Sequence, residues 1–457
     1  MTGDTIATSG QETAMKVLVA SQAVDGHFNP MTGIAKHLQL SGHDVRWYTG
    51  ATLAPRVEAL GIPFYPFVRA VEHTADNLDE LYPERARLKG PRAVRFDGDK
   101  IMVSNVGHFF SDIKDIRERF PFDVLLLDGS VYVQRLVRQG LDVPVVSVIA
   151  ISNMERDPWV PPLFMGLKPA TGRRGRLRDR ALTRLSDLLI LGLGQRHYVQ
   201  ILADHGIRVP KGMILTDEPY TMSSVVVQTG TESFDYPRSR TNPRVRYVGP
   251  LIPHPSGQRA PATVDWSSDF ERTVVVTQGT VDNVDHDQLI VPTIEALRDS
   301  GTHTRLLVAT GGSGTAELRR RYPQDNVVVE DYLDFGEVLD HADAYVTNGG
   351  FGGVLQSLVH GVPLVCAGIK AGRNDVAAHV DYHGLGIDLR TETPKAAAIR
   401  AAVDRVCVEP SFRQRAAEFR EEMRTLDPLE TVRELVEGLA PVTSTSPAAD
   451  SERGGAT

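Results

Sequence analysis

The chain has 457 residues, of which 41% are hydrophobic and 24% charged, so it has the composition of an ordinary globular protein and the length of two domains. Its formal net charge of −8 at pH 7 argues against nucleic acid or an anionic membrane as the main partner. No run approaches the roughly 18 consecutive apolar residues of a membrane-spanning helix.

The two ends of the chain are polar and rich in small residues, and we predict that segments 1–14 and 441–457 are disordered. Segment 1–14 also lacks the charged and apolar regions of a signal peptide. The two cysteines, Cys366 and Cys407, lie in apolar surroundings and have neither disulfide nor metal-ligand spacing. We therefore expect a reducing, cytoplasmic location.

The first half of the chain opens with a strand-helix-strand unit. "MKVLVAS" (15–21) reads as a buried strand, and Asn29 as N-cap with Pro30 at the first helical position predicts a helix that Gly42 ends. "DVRWYTG" then resumes as a strand. Further apolar runs, separated by stretches long enough for crossover helices, follow at 122–129, 143–149 and 224–230. These elements predict an N-terminal domain over 15–246.

Segment 155–180 fits neither the strand nor the helix pattern. Its prolines, aromatic residues and scattered apolar residues suggest an excursion over the first domain, a usual place for a pocket that recognises a variable ligand. A structural loop with a solvated arginine face is an equally open interpretation.

A segment rich in Pro, Gly and Ser at 247–266 follows, which we interpret as a linker. After it, the alternation of short apolar runs and helical patterns begins again. Short apolar runs without alternation, typical of parallel strands buried on both faces, lie at 272–280, 304–310, 326–330, 343–348 and 362–368. They predict a second domain over 267–440. The fold class is therefore α/β, with two doubly wound parallel-sheet domains facing each other across a cleft.

Four glycines lie within the five positions 349–353, between a predicted strand and a predicted helix. A glycine-rich turn that opens a helix directs backbone N–H groups and the positive end of the helix dipole at one place, which favours a phosphate. A second such loop, "VTQGT", contains Gly279 and Thr280 after the first strand of this domain. Two such loops at strand C-termini indicate a diphosphate site.

At this point the sequence resembles the family-1, macrolide-type glycosyltransferases of the GT-B fold, which are UDP-glycosyltransferase-like. The resemblance rests on "TNGGFGGVLQSLVHGVPLV", "GRNDVAAHV", "VTQGT" and "VGPLIP" in the second half, and on "DGHFNPMTGIAKHLQLSGHDV" in the first. It implies two Rossmann-like domains, an N-terminal one for the acceptor and a C-terminal one for the nucleotide-sugar donor. It also implies that the last helix crosses back to the first domain.

The resemblance implies a set of donor-binding residues. The diphosphate is expected at Thr280, Asn348 and the amides of Gly350, Phe351, Gly352 and Gly353. The ribose is expected at Gln356, the base at Tyr332 and Leu333, and the sugar at the loop holding Arg373, Asn374 and Asp375.

Two positions depart from the family pattern. Asn348 replaces the usual histidine, so a possible cation becomes a neutral amide and leaving-group stabilisation must rely more on backbone and helix dipole. Gly372 and Arg373 stand where the family often has an acidic residue followed by Gln or Lys. The identity of the donor sugar is open for this reason.

Sugar transfer from a nucleotide donor needs a base for the acceptor hydroxyl, and a histidine with a pKa near neutrality suits that role. His27 follows the first strand in "AVDGHFNPM", in what we predict to be a loop, and the family has a histidine at this place. A carboxylate should orient it. Asp128, at the end of "DVLLLDG", matches the family's partner, while Asp25 is the nearer rival along the chain.

Together with these features, the resemblance implies an inverting hexosyltransferase that moves glucose or a related hexose from UDP to a hydroxyl of a macrolide, polyketide or phenolic natural product. Thymidine remains open as the base. We expect no metal and no cofactor, because helix dipole and amides can neutralise the diphosphate, and a monomer or homodimer. The alternatives are a sugar-nucleotide epimerase on the same fold and a catalytically silent partner protein.

Overall fold

A computed structural model of the protein describes residues 14–74, 77–254, 262–279 and 285–440. The predicted disordered tail, the leader apart from Ala14, and the predicted diphosphate ligand Thr280 lie outside these residues. Among the described helices, none combines the length and the apolar character needed to cross a bilayer.

The first half of the chain builds a seven-stranded parallel sheet in the order β3-β2-β1-β4-β5-β6-β7. Its strands are β1 Lys16–Ala20, β2 Asp44–Thr49, β3 Phe64–Pro66, β4 Val124–Asp128, β5 Val145–Ile149, β6 Val225–Thr229 and β7 Val245–Gly249. Its helices are α1 Asp25–Leu40, α2 Ala54–Ala59, α3 Leu78–Leu81, α4 Pro91–Asp97, α5 Val106–Arg119, α6 Gln134–Gly140, α7 Gly172–Ser186, α8 Gly192–Asp204 and α9 Glu218–Met222.

The second half builds a six-stranded parallel sheet in the order β10-β9-β8-β11-β12-β13. Its strands are β8 Arg272–Thr277, β9 Thr304–Ala309, β10 Val327–Glu330, β11 Ala344–Thr347, β12 Leu364–Cys366 and β13 Gly386–Asp388. The helices are α10 Ile290–Leu297, α11 Thr315–Arg321, α12 Phe335–Asp340, α13 Phe351–Val359, α14 Arg373–Tyr382, α15 Ala396–Val408, α16 Pro410–Arg424 and α17 Pro428–Glu437.

The central strands are buried along their whole length, because helices cover both faces of each sheet. In β4 and β5 every residue is buried, and successive side chains enter two different cores. Leu126, for example, joins the core under α1, whereas Leu125 and Leu127 join the core under α5 and α8. The predicted two-domain, doubly wound α/β fold is the observed one.

The last helix, α17, packs on the first domain, although the chain enters it from the second. Val432 and Val436 are fully buried in the core under α1. Two imidazole-carboxylate contacts border this packing, from His37 Nε2 to a carboxylate oxygen of Glu430 at 3.2 Å and from His43 Nε2 to one of Glu437 at 3.0 Å. The chain therefore connects the two sheets twice.

Helix α1 begins earlier than we predicted. It starts at Asp25, whose carboxylate favours the positive end of the helix dipole, and Pro30 lies inside the helix. The side chain of Asn29 accepts from Arg56 and caps nothing. His27 therefore lies in the first turn of a helix and not in a loop.

Other boundaries also differ. Strand β7 extends to Gly249, so the first three residues of the predicted linker 247–266 belong to the first sheet. Three short strands, β3, β7 and β13, were not predicted from the sequence. The predicted excursion divides into an irregular segment, 155–171, and the start of α7.

Candidate active site

His27 and Asp128 meet at the C-terminal edge of the first sheet. Asp128 is the last residue of β4, and His27 comes from the first turn of α1, which follows the neighbouring strand β1. The His27 Nδ1 lies 3.1 Å from Asp128 Oδ1. The imidazole side chain is 32% exposed, whereas the carboxylate is 6% exposed. Asp128 thus contacts Nδ1, and Nε2 lies on the opposite side of the ring.

Two further residues hold the carboxylate. Ser130 donates from Oγ to Asp128 Oδ2 at 2.9 Å and from its backbone N to Oδ1 at 3.1 Å, and its Oγ lies 3.2 Å from His27 Nδ1. The backbone N of Gln22 donates to Asp128 Oδ2 at 3.4 Å, and Gln22 Nε2 donates to Ser130 Oγ at 3.0 Å. We did not select Ser130 or Gln22 from the sequence. The one available signal was a hydroxyl two residues after a strand-terminal Asp, in "LLDGS".

The pair changes the protonation of both members. Burial lowers the pKa of His27, but the charge of Asp128 and its hydrogen bond outweigh that, so the pKa is raised above 6.5. Burial raises the pKa of Asp128, but His27 and Ser130 outweigh it, so this pKa is lowered below 3.8. Near neutral pH the carboxylate is therefore ionised and can hold the imidazole by its Nδ1–H.

Asp25, the rival partner, points elsewhere. Its carboxylate pairs with the guanidinium of Arg56, which also lies 4.6 Å from the centre of the Phe28 ring. Asp25 thus fixes the start of α1 against α2, while Asp128 contacts the imidazole.

At the facing edge of the second sheet, β11 turns through Gly349 into α13. Gly349 has φ 82°, a conformation that L side chains rarely adopt. The first-turn amides of Phe351, Gly352 and Gly353 have no intrahelical acceptor, since a helix leaves its first N–H groups unpaired. Within the described part of the chain, no side chain caps α13. Together with the helix dipole these amides form a site suited to an anion.

The glycines of this turn serve different purposes. A Cβ at Gly352 would meet no described atom within 4 Å, so its backbone lies beside open space. A Cβ at Gly353 would lie 3.1 Å from the hydroxyl of Tyr345 in β11, so this glycine allows close helix–strand packing. Only part of the cluster is therefore available for close approach of a ligand.

Asn348 is 7% exposed and bridges the two glycine-containing loops. Its Nδ2 donates to the carbonyl of Gln278 in the loop after β8, and its Oδ1 accepts from Gly350 N at 3.2 Å. A Cβ at Gly279 would lie 3.5 Å from Asn348 Nδ2. The amide of Gly350, which we predicted to bind the diphosphate, is therefore already hydrogen-bonded within the protein.

The two edges are adjacent in space. In the first sheet, β5 lies between β4 and β6. Gly230 directly follows β6 and lies against the first turns of α13. A Cβ at Gly230 would lie 3.4 Å from Leu355 Cδ2 and 3.6 Å from Phe351 Cζ. The His27–Asp128 pair and the anion site of α13 therefore border one cleft.

The residues predicted to bind the nucleoside differ in the burial of their side chains and in their contacts. Gln356 is half-buried one turn into α13. Tyr332 donates its hydroxyl to the carbonyl of Gly311 at 2.7 Å, in the loop after β9. Leu333 is 5% exposed and its side chain belongs to the core, so only its backbone can face a base.

The residues predicted to meet the sugar start α14. Asn374 Nδ2 donates to the carbonyl of Phe164 at 2.8 Å, and the Asp375 carboxylate accepts from the amides of Phe164 at 2.5 Å and Gly166 at 2.7 Å. Burial raises the pKa of Asp375 although these amides lower it. Arg373 lies beside them at the first position of the helix. Asn374 and Asp375 thus tie the second domain to the irregular segment 155–171.

Asp97 and Asp99 stand on either side of Gly98 at the end of α4, but their carboxylates do not form a shared site. Asp97 pairs with Arg85 at 2.7 Å, and Asp99 contacts His197 Nδ1 at 2.9 Å. Within the described ranges, no group of three His, Cys, Asp or Glu side chains is arranged to hold a metal ion.

Comparisons with known proteins identify relatives of the whole chain. Residues 306–438 match the family model described as erythromycin biosynthesis protein CIII-like, C-terminal domain. The chain is 35% identical over 432 residues to the 4'-demethylrebeccamycin synthase of Lentzea aerocolonigenes, covering 93% of this chain and 99% of that protein. It is 26% identical over 441 residues to UDP-glycosyltransferase 2 of Phaeomoniella chlamydospora, covering 93% and 95%.

Solved structures share the fold. The crystal structure of CalG4, the calicheamicin glycosyltransferase, superposes with a TM-score of 0.73 at 19% identity, covering 95% of this chain and 100% of that one. The glycosyltransferase of kitacinnamycin superposes with a TM-score of 0.72 at 18% identity, covering 94% and 100%. At such identities the likeness shows the GT-B fold alone. With the longer sequence matches, however, it shows that this chain is an enzyme that belongs to the family-1 glycosyltransferases of the GT-B fold.

Proposed function

We propose that the enzyme transfers a hexose, with inversion at the anomeric carbon, from UDP to a hydroxyl of a hydrophobic natural product. Two of its relatives bear the names UDP-glycosyltransferase 2 and UDP-glucosyltransferase 1, which supports uridine and glucose in the donor. Another relative is a 4'-demethylrebeccamycin synthase, which supports a natural-product acceptor.

This proposal rests on one observation: the C-terminal edges of the two sheets carry two different sites, which border the same cleft. The first sheet contributes a histidine that a buried carboxylate orients through Nδ1 at 3.1 Å. The second contributes the unpaired first-turn amides of α13. Direct displacement at a sugar carbon needs both, a base on the acceptor side and an anion site on the leaving-group side.

In the proposed reaction the acceptor hydroxyl gives its proton to His27 Nε2 as its oxygen bonds to the anomeric carbon. The bond between that carbon and the diphosphate oxygen breaks, and its electron pair leaves with the nucleoside diphosphate. Asp128 remains ionised and stabilises the imidazolium that forms. Attack from the side opposite the leaving group inverts the configuration.

The diphosphate lies, in this proposal, on the amides of Phe351, Gly352 and Gly353, with Thr280 as a further donor. Asn348 acts by holding the two loops in register, because its amide group is already engaged by Gln278 and Gly350. The helix dipole and the amides neutralise charge, so the mechanism requires no metal and no cofactor. Gln356 binds the ribose, and Tyr332 with the backbone of Leu333 adjoins the base.

The sugar is assigned to the turn that begins α14, with Arg373, Asn374 and Asp375. Asn374 and Asp375 also bind the backbone of segment 164–166. In this proposal the turn therefore contacts both the sugar of the donor and the segment that binds the acceptor. The hydrophobic acceptor is assigned to the irregular segment 155–171, where Trp159 is 42% exposed and Phe164 37% exposed. Macrolides, polyketides and phenols are the compounds of choice for a screen.

The test is a screen of UDP-glucose, UDP-galactose and dTDP-glucose against a mixture of hydroxylated hydrophobic acceptors, read by mass spectrometry. We expect a mass gain of one hexose on an acceptor with UDP-glucose, and an anomeric coupling constant that shows inversion. Conversion of the sugar nucleotide without any acceptor would instead favour the epimerase. A retained anomeric configuration would contradict direct displacement by His27-activated hydroxyl.

A further inference from the structure

Helix α7 buries some of its apolar side chains and exposes others. On the face turned toward the protein, Leu182 is half-buried between Asp179, which is 2% exposed, and Ser186, which is 8% exposed. Leu177 and Leu185 lie outside this face and are 68% and 50% exposed. A surface helix normally buries its apolar side chains. This helix leaves two of its three leucines exposed.

The outward apolar row continues past the end of α7. In the following π-helical turn, Asp187–Leu191, Leu188 is 71% exposed and Leu189 53% exposed. Positions 177, 181, 185 and 188 follow one another at intervals of four, four and three residues, so their side chains share one face of the helix. At about 1.5 Å per residue the row is roughly 17 Å long.

Basic residues border this row. Helix α7 carries a single acidic residue, Asp179, which is buried, and the arginines are Arg173, Arg174, Arg176, Arg178, Arg180 and Arg184. Helix α4 packs against the π-helical turn and adds exposed Arg92, Arg95 and Val94. We name this surface of α7, the π-helical turn and α4 the leucine–arginine face. Its positive charge contrasts with the net charge of −8 of the whole chain.

We propose that the leucine–arginine face docks on an anionic lipid surface. A helix with leucines along one face and arginines beside them can lie in the interface plane, with the leucines among the acyl chains and the guanidinium groups at the headgroups. Each arginine near such a surface raises partitioning about fivefold. The proposal goes beyond the proposed reaction and does not depend on it.

The shape and charge of the face distinguish lipid from other occupants. The exposed leucines lie along one helix face, so an interface parallel to the helix axis can receive them together. A second copy that offered the same face would bring arginine against arginine. An acidic protein could pair with the arginines, but it would need a groove shaped to this ridge.

The test is co-sedimentation of the full-length protein with vesicles of phosphatidylcholine alone and of phosphatidylcholine with 30% phosphatidylglycerol, at low and at high salt. We expect binding to the anionic vesicles, weakened by salt. The triple variant Leu177→Gln, Leu185→Gln, Leu188→Gln should bind at least tenfold more weakly. The affinity of the double variant Arg173→Gln, Arg180→Gln for these vesicles should fall about 25-fold.

Matched controls carry the same changes elsewhere on the surface. Leu40→Gln with Val408→Gln removes apolar side chains that are 73% and 74% exposed, and Arg240→Gln with Arg244→Gln removes two exposed arginines. Both controls should bind vesicles like the unaltered protein. Equal binding by the leucine triple variant and the unaltered protein would overturn the proposal. So would an absence of vesicle binding, or a dimer in size-exclusion chromatography that the triple variant loses.

Discussion

The C-terminal edges of the two sheets, which border the cleft, use different chemical groups. The edge of the first sheet uses titratable side chains, with His27 and Asp128 shifting each other's pKa and Ser130 bonded to both. The edge of the second sheet uses backbone, with the first-turn amides of α13 beside a buried, neutral Asn348. In the proposed reaction, proton transfer and leaving-group stabilisation therefore depend on different edges, and mutations can remove them separately.

The largest effect is expected from His27→Ala, which removes the proposed base. Transfer to the acceptor should fall about 10³-fold, because a general base contributes roughly two to four orders of magnitude. Affinity for UDP, measured by calorimetry, should stay unchanged, since the anion site lies on the other domain. His27→Gln serves as the control of similar size, and near-normal turnover in either variant would end the assignment of His27 as base.

Asp128→Asn tests how the first edge sets the protonation of its histidine. Asp128 raises the pKa of His27 against burial, and a base works only when deprotonated, so the ascending limb of kcat/KM against pH should lie above pH 6.5 in the unaltered enzyme. The variant should move that limb to lower pH and reduce the plateau about 10²-fold. An unmoved limb would show that another group titrates.

Gly352→Val addresses the second edge. The new side chain meets no described protein atom at its Cβ, so folding should be preserved, while the space beside the amides is filled. UDP affinity should fall about 30-fold, which corresponds to about 2 kcal/mol of lost charge-assisted hydrogen bonding. The comparison variant Gly353→Ala crowds Tyr345 instead and should lower the melting temperature. Unchanged UDP affinity in Gly352→Val would separate the anion site from α13.

The smallest effect is expected from Ser130→Ala. It removes the hydroxyl that donates to Asp128 Oδ2, but the backbone N of Ser130 and that of Gln22 still donate to the carboxylate. The value of kcat/KM should fall about threefold to fivefold, with KM for UDP-glucose unchanged. A loss as large as that of Asp128→Asn would mean that Ser130 takes a direct part in the proton transfer.

Much of the fold could be predicted because buried parallel strands are short, uninterrupted apolar runs. β3 and β13 were missed because β3, FYP, ends in a proline and β13, GID, combines a glycine with an acidic residue, so neither is an uninterrupted apolar run like the equally short β12. The start of α1 was placed at Pro30 because proline at the first helical position is a strong signal, yet an acidic residue in the first turn, Asp25, was the better guide. Local patterns thus located elements better than their ends.

Some residues of the candidate site could likewise be predicted from local sequence patterns, whereas contacts between distant residues could not. His27 and Asp128 could be selected because His27 follows a strand, Asp128 ends one, and strand C-termini of parallel sheets converge. The family that the sequence resembles also has a histidine and a carboxylate at these places. The engagement of Asn348 by Gln278 and Gly350 could not, because residues 70 positions apart meet only in the folded chain. Total charge does not report local charge, since a net charge of −8 coexists with six arginines on α7.

Because α17 packs on the first domain, it restricts how domains can be exchanged between related enzymes. A chimaera joined only at the segment after β7 would bring a foreign α17 against α1, where Val432 and Val436 fill the core and Glu430 and Glu437 meet His37 and His43. A compatible exchange needs a second junction, after α16, so that α17 stays with the domain whose core it completes. By the same reasoning, a single proteolytic cut between the sheets would nick the protein without releasing either half.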